Sequence, residues 1–184
     1  MKYFSSILFV SVLLSGLWSC HPKASQELLA LDSLRQVVRE TEELLNSVDT
    51  GDLRRMKQIM EEDMAFMRKY FTDSSDREFY ATTMSDYYRF NKNAGKFFDR
   101  EMQWREEIDY TYKQLNDLRK DLNARILDRK TFSEYFSSEA EAVRILQSSI
   151  GSGVAGVEAF IPRFQELYDE VHRRIDPIKE EMTE

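Results

Sequence analysis

Residues 154–182 read VAGVEAFIPRFQELYDEVHRRIDPIKEEM, and in them Val154, Val157, Ile161, Phe164, Tyr168, Val171, Ile175, Ile178 and Met182 recur at alternating steps of three and four. An α-helix turns once every 3.6 residues, so this spacing gathers the apolar side chains on one stripe, the heptad pattern of a helix that packs on another helix. Pro162 and Pro177 fall inside the stripe. Each lacks a backbone donor and clashes with the preceding turn, so each is expected to kink the helix or to mark a fresh start. The pattern predicts helical pairing, within one chain or between two copies.

The same periodicity continues upstream. Phe132, Phe136, Val143, Leu146 and Ile150 line one face, after a capping-box pair of Thr131 and Glu134 and before an expected interruption at Gly151 to Gly156. Near the start of the body, Leu31, Leu34, Val38, Leu45 and Val48 make a stripe in which Thr41 fills the step after Val38. Leu53, Met56, Met60, Met67 and Phe71 make the next, beyond the polar stretch from Asn46 to Asp52. These two segments are expected to form an antiparallel hairpin. Ser75 and Glu78 have capping-box spacing, which predicts a helix from Asp76. Met84, Tyr87, Asn91, Ala94, Phe98 and Met102 then hold one phase, while Asn91, Asn93 and Gly95 predict a break or kink. Unbroken from Asp76 to Asp128, that helix would reach about 80 Å. No segment reads as a strand, and the whole chain has 3 prolines. The expected fold is all-α: an antiparallel helical bundle with coiled-coil character, elongated if the central helix is continuous, forming one domain over residues 25–184.

The N-terminus has a different character. Lys2 is followed by an apolar run from Tyr3 to Trp18 that ends at Cys20, the one cysteine of the chain. The run contains Ser5, Ser6, Ser11 and Ser15 and stops at His21-Pro22-Lys23, short of the roughly 20 apolar residues a spanning helix needs. It resembles a bacterial type II signal peptide, with Leu17-Trp18-Ser19-Cys20 as the lipobox. That resemblance implies removal of residues 1–19, lipidation of Cys20, and anchoring in a bacterial cell envelope through more than one acyl chain, since one binds only marginally. His21, not Asp, follows the cysteine, which by the sorting habit of enterobacterial lipoproteins implies the outer membrane. Residues 20–24 would form a tether of at most about 18 Å. Lipidation would also consume the thiol, leaving a body that folds by packing without disulfides.

With 33 acidic against 26 basic side chains and a net charge of −7, the chain does not suit nucleic acid. The basic groups at Arg54-Arg55 with Lys57, Arg68-Lys69 and Arg173-Arg174 lie among acids at helical spacing and read as solvated faces. Gly151, Gly153 and Gly156 spell a dinucleotide-loop pattern, but a helix precedes them where that loop needs a strand, so an interhelical connection or a close helix approach is the better reading. Bundle metal centres pair Glu-x-x-His motifs. Here the histidines are His21 and His172 alone, so no metal or other cofactor is expected, and His172 is expected on the surface beside Arg173 and Arg174. No Gly-x-Ser-x-Gly nucleophile pattern occurs, and the chain does not read as an enzyme.

Aromatic residues crowd the stretch from Phe79 to Tyr112. Tyr87 and Tyr88 point about 100° apart on a helix, so the set must lie between layers or meet something outside the fold. Tyr80, Tyr87, Tyr88, Phe90 and Trp104 are the candidate partner-binding residues, with Trp104 as first anchor. The expected function is that of a membrane-anchored envelope lipoprotein, a non-catalytic helical binding or scaffold subunit joined to a protein partner or to a second copy. The alternative is a domain that binds a small ligand or an envelope polymer (glycan, peptide or lipid), with weak hydrolase activity as its furthest extension.

Overall fold

The computed structural model describes residues 24–71 and 77–182. The signal segment, Cys20, the tether up to Lys23, and Ser75 of the first capping box lie outside the described residues. Five helices follow in order: α1 Ala24–Asn46, α2 Thr50–Tyr70, α3 Arg77–Asn123, α4 Arg129–Glu158 and α5 Ile161–Glu181. Among the described residues there is no strand.

The helices make three rods lying side by side, one of them α3, whose 47 residues span about 70 Å. Asp32 meets Arg119, Arg35 donates to Asn116 at 2.9 Å, Arg105 donates to Asn46 at 2.9 Å, and the Tyr87 hydroxyl donates to Asp63 at 3.2 Å. Numbers on α1 and α2 rise as those on α3 fall, so α1 and α2 lie end to end as one broken rod, antiparallel to α3. The expected hairpin of α1 on α2 does not form: α1 packs on α3 and α4, and α2 on α3 and α5. In the same sense α4 and α5 form the third rod: Trp104 donates to Ser149 at 3.0 Å, Phe90 packs at 5.4 Å on Phe160, and Arg163 pairs with Asp86 at 3.1 Å. The fold is an all-α antiparallel bundle.

Its core runs the length of the rods. Leu31, Val38, Thr41 and Leu45 of α1, Leu53, Met60 and Met67 of α2, and Val143, Leu146 and Ile150 of α4 are buried, as the stripes require. The final heptad is spent inside the chain: Val154, Val157, Phe164, Val171 and Ile175 are buried. Leu167, not Tyr168, completes that seam, while Ile161 and Met182 stay exposed.

Local signals decide where helices end, and packing overrules some of them. Asp49 caps α2 by accepting from the Asp52 amide at 2.9 Å. Asp128, not Thr131, caps α4, accepting from the Thr131 amide at 2.9 Å. Before it, Arg125 sits at φ 56°, and Ile126 donates to the Asp121 carbonyl at 3.0 Å, a Schellman ending with arginine where glycine is usual. Pro162 marks the fresh start of α5, whereas Pro177 lies inside it near its end. The expected break at Asn91 to Gly95 is absent, and so is the interruption at Gly151 to Gly156. A helical glycine costs about 1 kcal/mol against alanine. Burying Phe90 and Phe97 across the first site, and Ile150, Val154 and Val157 across the second, returns about 1.5–3 kcal/mol per side chain, so both helices run through.

Candidate functional site

The five aromatic candidates separate by depth. Tyr87, Phe90 and Trp104 are core residues, exposed by 0%, 1% and 3%. They hold the rods together, so contact with a partner narrows to Tyr88, which is 65% exposed, and half-buried Tyr80. Trp104 is fixed on every side: its indole N–H donates to Ser149, its ring meets Phe97 edge-on at 5.8 Å, and the α4 backbone at Gly153 lies against it.

Exposed apolar residues on α3 extend beyond Tyr88. Met102 and Tyr110 are also open to solvent. Their separations from Tyr88 along the chain place all three within roughly 80° of arc on one side of the rod. Gly95 lies between the first two, and a side chain there would touch nothing.

A polar cluster closes the opposite, inner side of the same end. Asp63 is in phase with Met60 and Met67, a core position, and is 1% exposed. From α3 the Tyr87 hydroxyl donates to its Oδ2. From α5 His172 Nε2 stands 3.3 Å from the same oxygen, near enough for an ion pair but without the alignment of a hydrogen bond, and Lys179 Nζ lies at 4.0 Å from Oδ1. His172 is therefore not the surface residue expected: it stacks on Tyr168 at 4.0 Å, and its Nδ1 lies 2.9 Å from Asp176. Burial pushes the Asp63 carboxyl above its ordinary value, while the charges of His172 and Lys179 and the Tyr87 hydrogen bond pull it back. Burial, and then the Asp63 charge, hold the Tyr87 phenol far above its usual range, so it remains a donor.

This cluster can bind a proton and pin three helices together. Among the described residues no serine hydroxyl or thiol bonds to His172, and no group of His, Cys, Asp and Glu could hold a metal ion. Asp63 was missed by periodicity, although one signal pointed to it: an acid standing where the Leu53 to Phe71 stripe needs an apolar residue. Among the described residues no helix is long and apolar enough to cross a membrane. Compared with protein-family models, with curated proteins and with solved structures, the chain matches none.

Proposed function

We propose that the chain is an envelope lipoprotein whose body is a non-catalytic helical scaffold, tethered at one end and presenting its α3 rod to a protein partner. The observation that carries this reading is the geometry of the rods relative to Cys20. Four residues after the cysteine α1 begins, and Arg129 at the start of α4 faces Glu27 in its first turn at 3.8 Å. With Cys20 in lipid, that end lies within about 18 Å of the surface, and the Asp63 end stands up to about 70 Å further out. A tethered rod of this length suits spacing and presentation. The heptad of α5 is used internally, which favours a different protein over a second copy as partner. His172 is taken up by Asp63 on α2 and by Asp176 and Tyr168 on its own helix, contacts that suit a structural role.

Affinity capture of the lipidated protein from membranes, with a photo-crosslinking residue at Tyr88, tests the proposal. A stoichiometric protein partner crosslinked at Tyr88 is expected, on a chain whose intact mass begins at acylated Cys20. Repeated recovery of the protein alone would refute the scaffold role. A chain starting at Met1, or at residue 20 with an unmodified thiol, would refute the anchor.

A further inference from the structure

The scaffold reading assigns nothing to the turn between α3 and α4, although two of its residues sit where the fold gains nothing from them. Arg125 holds left-handed backbone at φ 56°, where glycine is usual, and among the described residues no carboxylate pairs with it. Ile126 beside it is 71% exposed. We infer that this turn is a second contact with the membrane: it rests on anionic phospholipid beside the Cys20 anchor, with Ile126 in the apolar boundary and Arg125, Arg129 and Lys130 against headgroup phosphates. The inference rests on the anchor proposed above and adds to it what holds the rod upright.

The level of the turn is the first argument. Asp32 pairs with Arg119 and Arg35 with Asn116, so α1 and α3 keep one antiparallel register. Both helices rise at the same rate, so counting back along α1 from Asp32 and forward along the chain from Arg119 brings Ala24, the first residue of α1, level with the turn. Arg129, at 3.8 Å from Glu27, ties the start of α4 to the same end. A lipid surface that holds Cys20 lies within about 18 Å of Ala24, and therefore within reach of the turn, whereas Tyr88 stands about 50 Å further along α3.

Local packing is the second. In a Schellman ending the residue after the left-handed one ordinarily lays an apolar side chain on the helical turn before it. Here that residue is Ile126, and the positions it would meet are Lys120 and Asp121. Leu122 and Leu127 pack against the core instead. Ile126 is thus an apolar side chain that the turn displays and the fold does not use.

Charge is the third. The chain is acidic, yet between residues 119 and 130 Arg119, Lys120, Arg125, Arg129 and Lys130 stand against only Asp121 and Asp128. Asp32 takes Arg119, Asp117 takes Lys120, and Asp128 is spent on the Thr131 amide. Glu27 and Glu134 stand 3.8 Å from Arg129 and Lys130, beyond hydrogen-bond distance, and leave both cations largely exposed. Arg125, Arg129 and Lys130 remain available to phosphate. An apolar tip ringed by cations fits an anionic lipid surface; a soluble acidic partner would satisfy the cations and leave Ile126 in water.

Reconstitution of the acylated full chain in vesicles tests the inference. Acylation leaves no native thiol, so Ala124→Cys, at an exposed position, carries a single environment-sensitive dye beside Ile126, and Tyr88→Cys carries the same dye at the far end. In vesicles of phosphatidylethanolamine and phosphatidylglycerol the first dye is expected to shift to the blue and to be quenched by brominated acyl chains, and to respond less in phosphatidylcholine, while the second stays in water. Ile126→Ser and Arg125→Gly should each lower the docked-to-free ratio at least about fivefold, the effect of one cation at such a surface or of part of one apolar side chain. Intact mass separates the two claims: a chain without acyl groups would remove the anchor and this contact with it. On an acylated chain, a dye beside Ile126 as open to aqueous iodide as the dye at the far end, equal docking on phosphatidylcholine, or docking indifferent to both substitutions would overturn the second contact alone.

Discussion

Alanine at Gly153 should damage the protein while alanine at its two neighbouring glycines improves it. A Cβ built at Gly153 falls 2.3 Å from the Trp104 Cη2 atom and 3.1 Å from Cζ3, whereas at Gly151 and Gly156 it meets nothing within 4 Å. All three sit inside α4, so each alanine gains the same helix propensity of about 1 kcal/mol. Only Gly153→Ala also collides. The indole cannot swing away cheaply, because Ser149 holds its N–H and Phe97 its edge. Overpacking of this kind costs about 1–3 kcal/mol, and that cost is the expected gap between Gly153→Ala and Gly156→Ala in urea unfolding. In a Trp104→Leu background the obstacle is gone, and Gly153→Ala should turn stabilising like the others. A Gly153→Ala chain as stable as Gly151→Ala would refute the reasoning, since the close approach of α3 and α4 would then not depend on the missing side chain.

Arg125 occupies left-handed backbone at φ 56°, so Arg125→Gly should raise stability by about 1 kcal/mol, read as a higher urea midpoint; a lower one would mean the arginine side chain holds the turn. Tyr87→Phe removes the aligned donor from a buried carboxylate and should cost about 1.5–3 kcal/mol, whereas Asp63→Leu combined with Tyr87→Phe should be neutral or more stable by about 1–4 kcal/mol. Asp63 binds its proton more tightly folded than unfolded, so its contribution is fullest below the ordinary value of 3.8 and is lost as pH rises through the raised folded value. Asp63→Asn removes that loss, and its stability relative to the native chain should climb with pH across this window; a flat difference in urea titrations would contradict the burial argument.

Much of the fold was legible because apolar period is a direct record of burial. Leu31, Val38 and Leu45, or Val171 and Ile175, face the core since nothing else explains their spacing. What the pattern could not carry was which stripe meets which. A stripe is the same whether its partner lies beside it or beyond a turn, and so the α1–α2 hairpin was expected where a broken rod exists. Asn91, Gly95 and the glycines of α4 misled for the converse reason: their propensities are local and small, and the packing that outweighs them lies on other helices. Of the site, Tyr88 was visible as an aromatic out of phase with Tyr87, but Asp63 and His172 stand more than a hundred residues apart and only the rod arrangement brings them to 3.3 Å.

That arrangement also explains why an acid is tolerated in the core. Buried pairs add little net stability, and their best-attested use is to fix register. Trp104 on Gly153 fixes the register of α4 on α3, but the remaining buried positions of α2 and α5 are Leu, Met, Val, Ile and Phe, side chains that would pack almost as well after a slip of one heptad. Asp63 resists the slip that brings Ala94 to it, since alanine offers no donor, whereas the opposite slip would bring Tyr80; along α5 a heptad slip exchanges His172 for Gln165 or Lys179. Two of the three rods are broken, so their segments lack a continuous helix to carry register from one end to the other. The Asp63→Leu, Tyr87→Phe chain separates the two properties. Raised stability with broadened amide resonances along α2 and α5 is the expected pair, whereas one sharp set of resonances would show that apolar packing alone holds the rods in line.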